Sequence, residues 1–111
     1  MTKTNFDELA FELHENSVAK GFYDGYDMTN FKDQACKLML IDSEVTETME
    51  ALRKGKGDRD VLDEISDILI RVLDFYAGVI EAGAVSGSLD GAFYNKVEIN
   101  KGRPHMHGVR G

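Results

Sequence analysis

What most constrains this chain is how little there is in it to stop a helix. One proline, Pro104, stands near the far end, so no ring interrupts helical hydrogen bonding before it. Eleven glycines mark the joints instead. Between those joints, apolar residues recur every three or four positions, the period of a helix with one buried face. The first segment, Phe6 to Ala19, sets Phe6, Leu9, Ala10, Leu13 and Ser17 on one face and ends before the loop KGFYDGYD. The second takes Asn30 as N-cap and runs to Gly55, with Phe31, Ala35, Leu38, Ile41, Val45, Met49 and Leu52 as its apolar face. The third runs from about Asp60 to Ala82, with Val61, Ile65, Ile68, Leu69, Val72, Tyr76 and Val79 inward. A weaker fourth extends from Ser88 to about Lys101. Strand-type alternation is nowhere sustained. The fold class is all-α, a four-helix arrangement with a central antiparallel hairpin, in one domain spanning residues 1–111.

Charge narrows the partners. With a net charge of −7 and a pI near 4.8, the chain is a poor match for a nucleic-acid duplex. A phosphate-bearing ligand would need a cation to bridge it to such a surface. No apolar run reaches the ~20 residues of a membrane span, and MTKTNFDELA does not read as a signal peptide. The single Cys36 excludes an intramolecular disulfide and reads as a core residue rather than a nucleophile. A cytoplasmic protein is the expectation. Met39 and Leu40 lie outside the main face of the second helix, as Ile70 does on the third. Helices apolar on two sides bury both, which predicts a homodimer or homotetramer built through the hairpin.

The stretch SEVTETMEALRKGKGDRDVLDEISD places eight acidic residues in 25 positions. Its ends are alike: Glu44 and Glu47 surround Val45, and Glu64 and Asp67 surround Ile65. With Val45 taken as the core direction, Glu44 falls ~100° and Glu47 ~160° to the same side, and Glu64 and Asp67 repeat those angles about Ile65. Each pair thus lies on one flank, a turn apart. The short link KGKGD makes the two helices an antiparallel hairpin. Glu47 stands eight residues before Gly55 and Glu64 seven after Gly57, so the pairs are level across it. Four facing carboxylates repel one another unless a cation neutralises them, and oxygen ligands suit magnesium, with manganese as a substitute. The alternative is a solvated acidic face, as read for Glu50, Asp60 and Asp63. Exposed flanks usually interleave basic residues, yet none occurs between Met39 and Ala51.

SEVTETMEALRKG followed by DEISDILIRVLDF resembles the MazG-like, all-α nucleoside triphosphate pyrophosphohydrolases. Their signature of ExxE, a spacer and ExxD reads here as Glu44-x-x-Glu47, sixteen residues, and Glu64-x-x-Asp67. NKVEINKGRPHMHG is similar to the segment KxxxNxxRPxxHG of many small members, and NSVAKGFYD to the loop after their first helix. Where many members carry a basic and aromatic tail after HG, this sequence reads VRG. The resemblance implies magnesium-dependent hydrolysis of a (deoxy)nucleoside triphosphate to the monophosphate and pyrophosphate. It makes Glu44, Glu47, Glu64 and Asp67 the metal ligands, with a glutamate, Glu47 ahead of Glu44, acting on the attacking water. Lys96, Asn100 and Arg103 would hold phosphate oxygens, and a neighbouring chain would complete the site. His107 matches the family histidine, while His105 and His107 alone are too few ligands for zinc. Phe22, Tyr23 and Tyr26 would either stack on a nucleobase or simply pack. Two rival readings are a non-enzymatic helical interaction module and the same fold acting on another phosphate ester, such as a phosphoribosyl compound.

Overall fold

A computed structural model describes residues 5–104, and His105 and His107 lie outside them. It is all-helical among those residues: α1 (Phe6–Ala19), α2 (Phe31–Arg53), α3 (Asp58–Glu81) and α4 (Leu89–Lys101). Side chains set the starts. Asn5 accepts from the Glu8 N–H while its amide donates to the Glu8 carboxylate, a reciprocal cap on α1. Asn30 accepts from Lys32 N at 2.8 Å, and Ser88 accepts from Gly91 N at 3.1 Å. The turn between α2 and α3 is short because Gly55, at φ +67, takes a left-handed conformation costly for any residue with a Cβ.

Helix α3 is the spine. α1 and α2 both pack along it, and α4 packs on α1. The core is small: Ala10, Leu73 and Ala77, surrounded by half-buried Phe6, Phe11, Leu13, Tyr76 and Leu89. Small residues allow close approach here. A Cβ on Gly78 would stand 3.3 Å from His14 Cε1 and 3.4 Å from Tyr23 Cε1. Where α1 and α4 meet, each supplies the other's N-terminal acceptor. Asp90 accepts from the backbone N–H of Phe6 and Asp7, and Asp7 accepts from Leu89 N, Asp90 N, Ser88 Oγ and Tyr76 Oη. Carboxylates facing helix N-termini also gain from the backbone dipoles.

Phe6, Ala10 and Leu13 of α1 and Tyr76 and Val79 of α3 lie in or against the core as expected, but the apolar faces of α2 and of the N-terminal part of α3 do not lie where the sequence put them. Val45 and Ile65, taken as core directions, are 44% and 47% exposed. Phe31, Leu38, Met49 and Leu52 of α2 and Leu69 and Val72 of α3 are exposed with them, while Ala35, Ile41, Val61 and Ile68 are half-buried. Met39, Leu40 and Ile70 are exposed as well. The reason is that α2 has α3 as its main helical neighbour and can turn only one side to it. That side carries Glu44 and Ala51, both buried. Cys36, expected in the core, is exposed beside the Tyr26 hydroxyl. No helix of the described residues is long and apolar enough to cross a membrane.

Candidate functional site

Antiparallel packing of α2 on α3 brings Glu44, Glu47 and Glu64 together, each offering an oxygen within 4.8 Å of the others. Asp67 stands outside this set but beside it, lining the adjoining cleft with Glu44 and adding its charge to the field at Glu47. The three differ in exposure: Glu44 is buried, Glu64 half-buried and Glu47 exposed. Hydrogen bonding to Glu44, then the charges of Glu44 and Glu64, hold the Glu47 carboxyl above its ordinary value, with slight burial and Asp67 adding to the rise. Like charges crowd here without enough compensation.

What compensation exists comes from Arg71. Its Nε donates to Glu44 Oε1 at 2.9 Å, which gives a carboxylate only 8% exposed the partner that burial demands. The basic residue missing from the α2 flank is therefore supplied by α3. No sequence motif marks Arg71, although it follows Asp67 by four residues, on the same flank one turn on. The same holds for Lys37. It precedes Glu44 by seven residues, as Glu44 precedes Ala51, so all three share one side of α2.

Beside the acids opens a cleft of about 500 Å³. Phe22, Tyr23 and Tyr26 form an aromatic wall, Glu44, Asp67 and Asp74 are its acids, and Lys37 and Arg71 its cations. Lys37 Nζ donates to the Phe22 carbonyl at 2.5 Å and sits 4.0 Å and 4.1 Å from the ring centres of Tyr23 and Tyr26. Burial lowers the Lys37 pKa against the opposing pull of Asp74 and Cys36, and the Arg71 charge lowers it further. Tyr23 is half-buried, its ring edge-on to His14 at 4.5 Å, so it packs, whereas Phe22 is 61% exposed. Burial, then the charge and hydrogen bonding of Asp74, push the Tyr23 phenol well up.

Behind that wall lies a second polar assembly absent from the sequence reading. His14 is 5% exposed and holds Asp74 Oδ1 at 2.7 Å through Nδ1 and Glu81 Oε2 at 3.2 Å through Nε2. Ser17 Oγ donates to Asp74 Oδ2 at 2.8 Å. Ser17 bonds to the acid and not to the imidazole, so the trio lacks the order of a nucleophilic triad. Its effect is to tie α1 to α3 and fix Asp74 at the cleft wall. The sequence signal was faint: two polar residues, His14 and Ser17, a turn apart on the apolar side of α1.

Lys96, Asn100 and Arg103 are exposed, on α4 or just past its end, and none lines the cleft. Their helix packs on α1, so within one protomer the fold does not bring them to the acids. No protein-family profile, curated protein or solved structure matches the chain.

Proposed function

We propose that the protein hydrolyses a (deoxy)nucleoside triphosphate to the monophosphate and pyrophosphate with magnesium, manganese serving as a substitute. The observation that carries this reading is the convergence of Glu44, Glu47 and Glu64 across the hairpin, with the charge of Asp67 on the same point. The donor set fits the ion: all oxygen, and anionic. At a metal–oxygen distance of about 2.1 Å, opposite ligands of one magnesium ion stand ~4.2 Å apart, near the spread found here. Magnesium would supply charge neutralisation and a lower pKa for water near the phosphate chain.

The side chains divide the remaining work by position. Glu44, Glu47 and Glu64, with Asp67 beside them, would hold the cation. Glu47, the one of the three converging acids that is open to solvent, would also orient the attacking water and take its proton. The aromatic wall excludes water from one side of the cleft, and the exposed Phe22 ring offers a nucleobase a face on which to stack. The exposed apolar stripe on α2 and α3 supports assembly with a second copy of the chain, which would also be the route for Lys96, Asn100 and Arg103 to reach a cleft. Covering each half-exposed aliphatic recovers about 1 kcal/mol, so eight or ten of them offset much of an association cost of roughly 4–15 kcal/mol. That stripe is also what favours the rival reading, an interaction module without chemistry. The module accounts for the apolar residues and leaves the converging acids unexplained.

The test is pyrophosphate release from a panel of nucleoside triphosphates with magnesium, for the wild type and Glu47→Gln. Glutamine keeps shape and helix propensity while removing a ligand charge and the proton acceptor. Turnover should fall by roughly 10²-fold or more. Release within a few-fold of wild type would take Glu47 out of the mechanism. No release from any nucleotide by the wild type would sink the pyrophosphohydrolase reading.

A further inference from the structure

We propose that Arg71 is an exchangeable counter-ion. It occupies Glu44 while the acids hold no metal, and it passes to a phosphate oxygen of the substrate once a divalent cation has taken Glu44. This rests on the metal-site reading above and adds the residue that couples the metal to the phosphate chain.

Three observations lead to it. First, the contact is of a kind that exchanges. Arg71 meets Glu44 through Nε, at 2.9 Å, and its side chain is 43% exposed. A guanidinium carries five N–H donors in a planar fork, so engagement through Nε leaves donors for a second acceptor. Second, Glu44 is the most buried of the converging acids and cannot stand alone. Either Arg71 or a divalent cation satisfies it. Both together would press a guanidinium against a doubly charged ion, so the arrival of one favours the departure of the other. Third, Arg71 lines the same cleft as Lys37, and the cleft is deep in acids: Glu44, Asp67 and Asp74. A triphosphate entering there meets repulsion unless cations are released to face it. Lys37 is pinned by the Phe22 carbonyl and two tyrosine rings, whereas Arg71 is freed by the same event that neutralises the acids. The three-methylene stem lets the fork turn from the hairpin toward the cleft without moving α3. These are cations of the same protomer, and neither belongs to the α4 set that the sequence suggested. Binding is then ordered, metal first and phosphate second, through one side chain.

The two halves of the exchange predict opposite signs for one substitution. In full-length Arg71→Gln, Mn2+ affinity measured by calorimetry without nucleotide should rise about threefold, because a competitor for Glu44 is gone. Affinity for inorganic triphosphate at saturating Mn2+ should fall roughly tenfold or more, the loss expected for a charge-assisted contact. Arg71→Lys keeps the charge without the fork and should recover part of the triphosphate affinity. It also serves as the second variant if the glutamine substitution melts early. A residue that merely braces the hairpin would lower both affinities together, and that result, or unchanged triphosphate binding, overturns the exchange. Wild-type protein that binds no Mn2+ would overturn the metal site, and the exchange with it. Mn2+ binding by the wild type with an unaffected Arg71→Gln removes the exchange alone.

Discussion

Compare the half of the molecule where α1 and α4 meet the C-terminal part of α3 with the half where α2 meets its N-terminal part. In the first, buried charge is answered at once. Asp7 and Asp90 cap each other's helices, and Asp74 is held by His14 and Ser17. In the second, three carboxylates share a point with one arginine between them, and a stripe of aliphatic side chains faces out. Both halves are built from the same helix, so the difference lies in what surrounds it. The first half is complete within one chain. The second leaves converging carboxylates and aliphatic side chains uncovered within one chain, and on the proposed reading a cation and a second copy would cover them.

The largest expected effect breaks the first half. His14→Ala removes the Nδ1 partner of Asp74 and opens a cavity beside Gly78 and Tyr23. Losing one of the two partners of a largely buried carboxylate together with the packing of a buried ring costs about 3 kcal/mol, a Tm lower by roughly 10–20 °C in a thermal melt, with Ser17 still bonded to Asp74. In the second half the sign reverses. Glu47→Gln in metal-free protein relieves repulsion and should leave Tm unchanged or slightly raised, while on the proposed reading the same variant loses turnover. A large destabilisation would mean that Glu47 is structural.

Asp7→Asn tests the reciprocal caps more gently. It surrenders part of a set of bonds from Ser88, Tyr76, Leu89 and Asp90, at a cost of about 1–2 kcal/mol in chemical denaturation. An unaltered midpoint would show that α4 docks without them.

The smallest effects are in pH, and they separate the halves by direction. Burial raises the Asp7 pKa, but hydrogen bonds from Ser88, Tyr76 and the Asp90 and Leu89 backbone outweigh it and hold the carboxyl below its ordinary 3.8. Its contribution to stability is present above that value and lost as pH falls through the lower, folded one. For Glu47, Glu44 and its neighbours raise the pKa above the ordinary 4.5, so its contribution is present below 4.5 and lost as pH climbs through the raised value. Tm of metal-free protein should therefore drop on both sides, with Asp7→Asn flattening the acid limb and Glu47→Gln the other. The same limb persisting in both variants would contradict these assignments.

The helices themselves were legible in the sequence, because caps and glycines are local signals. Asn30 and Ser88 start α2 and α4 where expected, and α1 matches Phe6 to Ala19. The level of the acid pairs was legible too, since a short link fixes the register of a hairpin. Which way each helix turns was not. Periodicity identifies the apolar face of α2 but does not say whether its own chain covers that face, and here Glu44 and Ala51 point to α3 instead. Arg71 and the His14–Asp74 pair depend on meetings between helices, about which spacing along one helix is silent. Lys96, Asn100 and Arg103 came from a motif whose placement needs tertiary structure, and α4 sits on α1, away from the cleft lining.

On the proposed reading the acids of the α2–α3 hairpin are a cation site rather than a charged surface. Thermal melts with and without magnesium or manganese, for the wild type, Glu64→Gln and Asp67→Asn, test it most directly. A cation that binds only the folded state stabilises it by about 2.7 kcal/mol at a hundredfold excess over Kd. The wild-type Tm should rise by several degrees, and most of that rise should vanish in both variants. Equal shifts in all three proteins, or none in the wild type, would contradict the claim.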